Sequence, residues 1–519
     1  MNFFSLLVYS LTFISILFSS DHRCMNVYSD ERTRPNLSLS YTTENFQIHY
    51  DIEGMNAPSI SDSDGAGIPD YVEKVAEIAE ASRNKLVDVM GYLEAPDDGD
   101  GLYDIYILNQ SAWGWNIVED SNIGSSYVKI DNDYAGNNFQ SDYCTEDLDK
   151  MRISVAHEYF HAIQRAYRPN PMTDHDFLLE MSSMWFEDLM VPDCNDYLSF
   201  VDALSYSIFN NPMQKFDGED LSLSQSQANF GYSMALFGHY LTNVVDGYED
   251  SFQSTIMREI WNSYSSGISA RDAVVHVVEN EFGDSFSRIW TDFISRNMFC
   301  GYFNYFNQDF YFYPDQQYID PISISSSDYV FSNESESYNI ALSPYSANIL
   351  GLGIMEDLAS DISILNFDDF KGYLSVVGPS SKVHSIVNDD GNQLNLKSGD
   401  KYYFILSPSS EATNVNILFN SEDLPHSQIF IESIYPNPIF DNELYIDIQN
   451  NFEINNFRAE FYDILGNLIC DYSSNLVIPQ GGAEISIPVL DNLKSSGVYF
   501  MVLFDGSNKI DSRKITFAK

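Results

Sequence analysis

The chain has 519 residues, 44% of them hydrophobic, enough to build the cores of roughly two to four domains. Its 76 acidic residues outnumber its 26 Lys and Arg residues, giving a formal net charge of −50. A polyanion of this strength repels phosphate groups, which excludes binding to nucleic acid or to an anionic membrane as its function.

The first 20 residues are expected to direct export. Residues 3–18 are apolar and uncharged, and polar residues begin at Ser19. This pattern predicts a signal peptide over residues 1–20, although no Lys or Arg precedes the apolar run, and then a leader segment over residues 21–42. The alternative is a membrane anchor, but the run is short for a span and lacks flanking charge. We therefore expect a secreted chain with no stable membrane span after processing.

A calcium loop is predicted over residues 62–73. The segment fits the twelve-residue template, with Gly67 at the position of the tight turn, but Ala66 brings no side-chain oxygen. Residues 46–50 read as a strand, so only the exit from the loop is helical. The alternative is an acidic turn at the start of a helix. The predicted calcium ligands are Asp62, Asp64, Asp70 and Glu73.

The pattern His157-Glu158-x-x-His161 predicts a zinc site on a helix. Residues four apart lie on one face of a helix, one turn apart, so both imidazoles can bind the same ion. Glu158 follows the first ligand, where its carboxylate can take a proton from a zinc-bound water. The alternative is an amphipathic helix that carries two hydrogen-bonded histidines.

A second helical pattern downstream offers a third ligand. Residues 177–188 carry apolar side chains at helical spacing, and Glu180 follows His161 by 19 residues. A helix that returns antiparallel to the first would bring Glu180 to the metal, with Glu187 as its rival. Two histidines and one carboxylate leave a fourth zinc position open for water, as catalysis requires.

These residues resemble the gluzincin metallopeptidases. Gln164 and Tyr167 occupy the positions where a metzincin has Gly and a third His, so that class is excluded. The run Glu180-x-x-x-Met-Trp-Phe-Glu187 is similar to a stretch in a family of secreted bacterial metallopeptidases of the gluzincin group. The resemblance implies that Glu180 is the third zinc ligand.

The same resemblance implies two further parts of a peptidase site. Gluzincins stabilise the oxyanion with a Tyr or His near the metal, and the predicted helix over residues 230–241 carries Tyr232, which we favour, and His239. They also pair the substrate backbone with an edge strand just before the zinc helix, and residues 125–134 read as a strand there. The sequence leaves open whether Tyr232 is a core residue and whether the strand is an ordinary sheet strand.

Helical patterns over residues 270–281 and 286–297 close a metallopeptidase domain that we place at residues 43–305. Aromatic and β-branched runs separated by turns then predict a β-sandwich accessory domain at residues 306–427. Both assignments rest on hydrophobic periodicity, which changes from helical to alternating near the boundary.

A second β-sandwich is predicted at residues 428–519. Tyr435-Pro-Asn-Pro438 precedes an alternating strand at 444–448, and further strands alternate with Gly, Asn and Asp turns up to a terminal strand at 514–519. This order of motifs resembles the C-terminal sorting domain of the bacterial type IX secretion system. The resemblance implies the type IX machinery as a partner, followed by release or surface attachment. The alternative is an accessory β-domain without a sorting role.

The five cysteines show no zinc-type spacing, so a cysteine metal site is not expected. In an exported protein cysteines can pair. Cys144 and Cys194 bracket the two predicted zinc helices, so we expect a disulfide between them, and the odd count leaves at least one free thiol.

The expected fold class is α+β multidomain: a zincin-like metallopeptidase domain followed by two antiparallel β-sandwich domains. The expected function is that of a secreted zinc metallopeptidase acting on protein or peptide substrates, with Glu158 as general base and with zinc and calcium as ions. Two other hypotheses stay open. One is a catalytically inactive zinc- and calcium-binding module for adhesion at the cell surface, and the other is a zinc exopeptidase.

Overall fold

The computed structural model supplies both backbone and side-chain positions. The structure describes residues 26–27, 33–135, 141–169, 176–201, 203–222, 224–301, 311–330, 336–355, 358–364, 372–378, 383–386, 392–396, 400–408, 410–423, 429–439, 443–450, 454–463, 467–473, 477–479, 481, 483–488, 493, 496–506 and 508–518. The predicted signal peptide, Cys24 and most of the leader before residue 33 lie outside these residues.

The first layer of the fold is a mixed sheet whose strands are β1 (Asn26–Val27), β2 (Leu39–Thr42), β3 (Phe46–Tyr50), β4 (Tyr103–Leu108), β5 (Gly114–Asp120) and β6 (Ser125–Asp131). The strand order is β1-β5-β6-β4-β3-β2. Strands β3, β4 and β6 run parallel, whereas β5 runs antiparallel to β6. β4 and β6 are buried along most of their length, as expected for strands in the middle of a sheet covered on both faces.

The strand just before the predicted zinc helix, for which the sequence left open an edge strand or an ordinary sheet strand, lies inside the sheet. This strand, β6, pairs with β4 on one side and with β5 on the other, so its backbone groups are occupied. β5 lies nearer the edge, and among the described residues only Asn26 and Val27 pair with its outer side.

The helices are α1 (Asp70–Arg83), α2 (Asp147–Tyr167), α3 (Asp176–Met190), α4 (Leu198–Val201), α5 (Ser224–Ser233), α6 (Ala235–Tyr240), α7 (Ile256–Ser265), α8 (Ala270–His276) and α9 (Phe286–Asn297). Wider π-helical turns continue some of them, and short 3₁₀ turns lie between others: Asn84–Val89, Leu241–Val245, Val277–Glu281, Ser251–Gln253 and Pro314–Tyr318. The helix predicted over residues 230–241 is interrupted at Met234, where α5 ends and α6 begins.

α2 is the central helix of this first unit. Asp147 and Asp149 in its first turn complement the positive end of the helix dipole. The side chains of α2 are buried on every face along most of its length, because the sheet packs against one side and α1 and α3 pack against others. The α2–α3 pair therefore lies in the interior, the setting that a water-excluding site requires.

The second unit contains strands β7 (Ser326–Val330), β8 (Glu336–Leu342), β9 (Asn348–Ile354), β10 (Leu358–Ile364), β11 (Gly372–Val377), β12 (Val383–Ile386), β13 (Asn392–Leu396), β14 (Lys401–Pro408) and β15 (Thr413–Asp423). They form two sheets, ordered β13-β10-β15-β8 and β12-β11-β14-β9-β7. The pairing is antiparallel except between β7 and β9, which run parallel. α9 packs on β11 and β14, so Val377 and Ile405 belong to the same hydrophobic core as the helices of the first unit.

The third unit contains strands β16 (Ile429–Tyr435), β17 (Glu443–Asn450), β18 (Phe457–Tyr462), β19 (Leu468–Ser473), β20 (Ala483–Pro488), β21 (Gly497–Asp505) and β22 (Asn508–Phe517). Their two antiparallel sheets enclose a core of their own, to which Leu444 and Met501 contribute from opposite sheets. Helices in the first unit and β-sheets in the other two confirm the α+β multidomain expectation.

The expected disulfide between Cys144 and Cys194 is present, and it joins the segment before α2 to the segment after α3. The structure also describes Cys300, which is buried, and Cys470, which is half-buried, and neither takes part in a disulfide among the described residues. The disulfide thus closes a loop of chain that contains both α2 and α3.

Candidate metal centre

Helices α2 and α3 bring two histidines and a glutamate together. His157 and His161 lie one turn apart on α2, with ring centroids separated by 4.7 Å. Oε2 of Glu180 lies 3.2 Å from Nε2 of His157 and 3.4 Å from Nε2 of His161. One ligand atom from each residue lies within 4.8 Å of the others, and no second group of this kind exists among the described residues. The three residues predicted as zinc ligands are therefore close in space.

This donor set suits zinc. All three side chains are buried, and Nε2 of His161 makes no hydrogen bond within the part of the chain that the structure describes. A buried imidazole nitrogen without a partner costs free energy unless something else binds it. Two imidazoles and one carboxylate are accepted zinc ligands and leave a fourth position open. The residues fit the ion that the sequence predicts.

The second ring nitrogen of each imidazole, Nδ1, contacts a hydrogen-bond acceptor on a neighbouring side chain. Nδ1 of His157 lies 2.8 Å from Oε2 of Glu187, and Nδ1 of His161 lies 2.8 Å from Oε1 of Gln164. The amide nitrogen of Gln164 donates in turn to the carbonyl oxygen of Leu179 at 3.0 Å. Acceptors at Nδ1 favour the tautomer that leaves Nε2 free of a proton and directed towards the metal position.

The protonation of the metal-free group follows from these contacts. Burial alone would lower the pKa of His157, but hydrogen bonds to Glu180 and Glu187 outweigh it and raise this pKa to about 10. Burial would raise the pKa of Glu180, but the charge of His161 and the hydrogen bond with His157 lower it to about 2. Without metal the carboxylate is ionised beside a protonated imidazole, and an ion must displace that proton in order to bind.

Glu158 is fully buried where α2 crosses β5. The side-chain amide of Asn116 donates to the carbonyl oxygen of Glu158 at 3.2 Å and accepts from Nε of Arg165 at 2.9 Å. The main chain of Gly114 passes so close that a Cβ there would lie 2.7 Å from Cγ of Glu158. Sequence reasoning missed both residues of β5. The available signal was a Gly and an Asn that flank and interrupt the run of Trp115, Ile117 and Val118.

The structure separates the two candidates for the oxyanion donor. Tyr232 is buried near the end of α5, with its ring centroid 6.0 Å from that of His157. His239 on α6 instead lies with Nε2 3.1 Å from Oδ2 of Asp188, and its ring stacks on Tyr313 with centroids 3.7 Å apart. Tyr232 is thus the candidate beside the metal group, whereas His239 belongs to a separate buried polar cluster.

The four predicted calcium ligands border an exposed loop before α1, and their oxygens do not form a tight group like the one at the histidines. The carboxylate of Asp62 accepts hydrogen bonds from the backbone N–H groups of Gly65 and Gly67 at 2.8 and 2.9 Å. Desolvation and the charges of neighbouring carboxylates, first that of Asp64, raise the pKa of Glu73. The loop concentrates negative charge, and calcium binding stays a prediction.

Residues 433–517 match the protein family described as "Secretion system C-terminal sorting domain". The matched segment runs from within β16 to the end of β22, which is nearly the whole third unit. This confirms the predicted sorting module and indicates export by type IX secretion to the cell surface or the extracellular space. None of the helices in the described part of the chain is both long enough and apolar enough to cross a membrane.

A search of curated proteins gave no match to this chain. Among solved structures, the Salmonella Typhimurium periplasmic inhibitor of g-type lysozyme, PliG, is 13% identical, covering 19% of this chain and 99% of its own, with a TM-score of 0.16. Dimeric latent PorU from Porphyromonas gingivalis is 14% identical, covering 28% of this chain and 16% of its own, with a TM-score of 0.15. A β-glucuronidase of glycoside hydrolase family 2 is 12% identical over 32% and 23%, with a TM-score of 0.13. Similarities this weak carry no functional argument.

Proposed function

We propose that this chain is a secreted zinc-dependent metallopeptidase of the gluzincin type that hydrolyses peptide bonds in extracellular proteins. One observation carries the proposal: the ligand atoms of His157, His161 and Glu180 converge within 4.8 Å in a buried group. Glu158, a buried carboxylate, directly follows the first of these residues. A site built only to hold a structural ion needs no carboxylate at that place and closes its fourth position with a protein ligand.

Glu158 is the general base in this proposal. When bound by the three side chains, zinc supplies the Lewis acidity that activates a water and polarises the scissile carbonyl. The Glu158 carboxylate accepts the proton of the attacking water and passes it to the leaving amine. Its burial against the main chain of β5 shields that proton from exchange with bulk solvent.

Two neighbouring elements complete the proposed site. The hydroxyl of Tyr232 donates a hydrogen bond to the oxyanion of the tetrahedral intermediate, where charge develops. β5, whose first residue touches Glu158, takes the place that sequence analysis gave to β6 as the strand beside which the substrate backbone lies. Both elements meet at the α2–α3 pair, which holds the metal ligands.

Calcium is the second ion in the proposal, bound by the loop before α1. Exposed carboxylates crowded on a loop repel one another, and a divalent cation relieves that repulsion. We expect calcium to raise the thermal midpoint of the zinc-loaded protein and Asp62→Asn to remove most of that increase. An identical midpoint with calcium and with a calcium-selective chelator would rule this site out.

The decisive experiment is hydrolysis of a denatured protein by the chain from residue 21 onward, with Glu158→Gln beside wild type and zinc content measured on both. Glu77→Gln is a matched control, because Glu77 is 63% exposed on α1. We expect wild type and Glu77→Gln to cut internal bonds and zinc-loaded Glu158→Gln to be inactive. If all three proteins hold zinc and none cuts, the site belongs to a binding module. Release of single residues without internal cuts would identify an exopeptidase.

A further inference from the structure

Gly114, the first residue of β5, lies directly against the side chain of Glu158. A Cβ atom at residue 114 would lie 2.7 Å from Cγ and 2.9 Å from Oε1 of Glu158, whereas real Cβ contacts are essentially never shorter than 3.0 Å. The φ angle of Gly114 is outside the left-handed region, so the backbone conformation is open to any residue. Glycine is needed here for space rather than for conformation.

β5 cannot easily move away to make that space. Asn116 is fully buried and donates to the backbone oxygen of Glu158 and to Oγ of Ser126, both at 3.2 Å. Its side-chain oxygen accepts from Arg165 of α2 at 2.9 Å, and the strand also pairs with β6. Because β5 is tied both to α2 and to its neighbour in the sheet, the side chain of Glu158 is the part that would move.

We infer that Gly114 is a positioning residue for the general base: because it has no side chain, it leaves the space that the Glu158 carboxylate occupies. The inference rests on the proposed function, because that proposal gives Glu158 its role. The three atoms nearest to a Cβ at residue 114 all belong to Glu158. An added methyl group therefore displaces the base and leaves the metal ligands in place.

A second glycine provides the contrast. A Cβ at Gly231 on α5 would lie 2.8 Å from Cβ of Glu180 and 2.9 Å from the carbonyl oxygen of Phe177. The same substitution at Gly231 thus presses on the third ligand and on the backbone of α3. Gly114 and Gly231 separate the two functions of the site: one lies against the base and the other against a metal ligand.

The kinetic test compares zinc-loaded Gly114→Ala, Gly231→Ala and wild type, all carrying the full chain from residue 21. Gly114→Ala is expected to lower kcat by about ten- to a hundredfold, because a displacement of about 1 Å is costly at a reacting group, with KM changed less than about threefold. Its zinc content stays at the wild-type level, whereas that of Gly231→Ala falls. Gly497→Ala is the control, since the nearest atom to its added Cβ lies 3.8 Å away.

A crystal structure of zinc-loaded Gly114→Ala gives a readout independent of activity. The expected result is a displaced Glu158 carboxylate with His157 and His161 unmoved and the Asn116 hydrogen bond to Glu158 intact. A wild-type kcat, or a crystal structure in which β5 retreats and Glu158 keeps its place, overturns the inference. If wild type itself cuts nothing, the proposed function fails, and the crystal structure alone decides whether Gly114 sets the position of Glu158.

Discussion

Oε2 of Glu187 lies 2.8 Å from Nδ1 of His157, while Glu180 contacts the other nitrogen of the same ring. The two glutamates are seven residues apart on α3, which is about two helical turns and places them on one face. One imidazole is thus held between two carboxylates, and only Glu180 shares the group that could bind an ion.

Glu187→Gln is expected to weaken zinc binding by about ten- to a hundredfold without abolishing it. The amide keeps the shape of the side chain but loses the negative charge. That charge orients the imidazole of His157 and makes it a stronger metal ligand. Glu180→Gln is expected to cost more, because a ligand is lost. Competition with a chromogenic chelator measures both constants, and a larger loss for Glu187→Gln would exchange the roles of the two residues.

Tyr232→Phe is expected to lower kcat by about ten- to a thousandfold, with zinc content unchanged. Removal of one oxyanion donor has an effect of this order in other hydrolases. The ring of Tyr232 packs against Phe200 at 4.9 Å, and Phe preserves that contact, so the fold should persist. Tyr318→Phe is a suitable control because Tyr318 is 53% exposed. Equal kcat values for Tyr232→Phe and wild type would leave Tyr232 with a packing role only.

Loss of the disulfide should destabilise the metal centre as a whole. Cys144 and Cys194 are separated by 50 residues, and a crosslink over such a loop is worth about 4 kcal/mol by chain entropy. A double Ser variant should therefore unfold at a lower urea concentration and bind zinc more weakly, because the loop contains all three ligands. Cys470→Ser, in the sorting module, serves as the control. Coincident unfolding curves would mean that packing alone holds α2 and α3 together.

The carboxyl group of Asp315 makes the free energy of unfolding depend on pH. Burial, and then the charge of Asp188, raise the pKa of Asp315 to about 7, against the opposing hydrogen bond from Tyr197. In the unfolded chain this carboxyl titrates near 3.9, so the unfolded state loses the proton first and stability falls as pH rises from about 4 to 7.

Asp315→Asn should therefore be more stable than wild type at pH 8 by about 2 kcal/mol. This is half of the free energy that a shift of three pKa units represents for a fully buried group. At pH 4 the two proteins should be equal, because the wild-type carboxyl is then protonated in the folded state. Urea unfolding at both pH values measures the difference. A destabilised variant at pH 8 would show that the charge of Asp315 is favourable in the fold.

The proximity of His157, His161 and Glu180 could be predicted because the signal lies within single helices. The i, i+4 spacing of His157 and His161 fixes their common face, and a second amphipathic helix soon afterwards can return only along the first. The disulfide followed from the same reasoning, since its cysteines flank that helix pair. The sorting module could be recognised from the sequence because several short motifs follow one another in a fixed order.

Contacts that depend on the order of the strands in the sheet could not be predicted from the sequence. β6 precedes α2 in the chain but lies inside the sheet, because β5 turns back and pairs on its outer side. Gly114 is 44 residues before Glu158, so nothing local to either residue indicates that they touch. The contact between His239 and Tyr313 was hidden for the same reason, because the two residues are far apart in the sequence.

Tyr313 lies beyond residue 305, where the peptidase domain was expected to end, yet its hydroxyl donates to Asp188 and its ring covers His239. Ile405 from the second unit also enters the core of the first. Heating should therefore melt these two units together in one cooperative transition. The sorting module has a core of its own, so proteolytic removal of this module after export would leave the first two units, with the candidate metal centre, folded together as one mature protein.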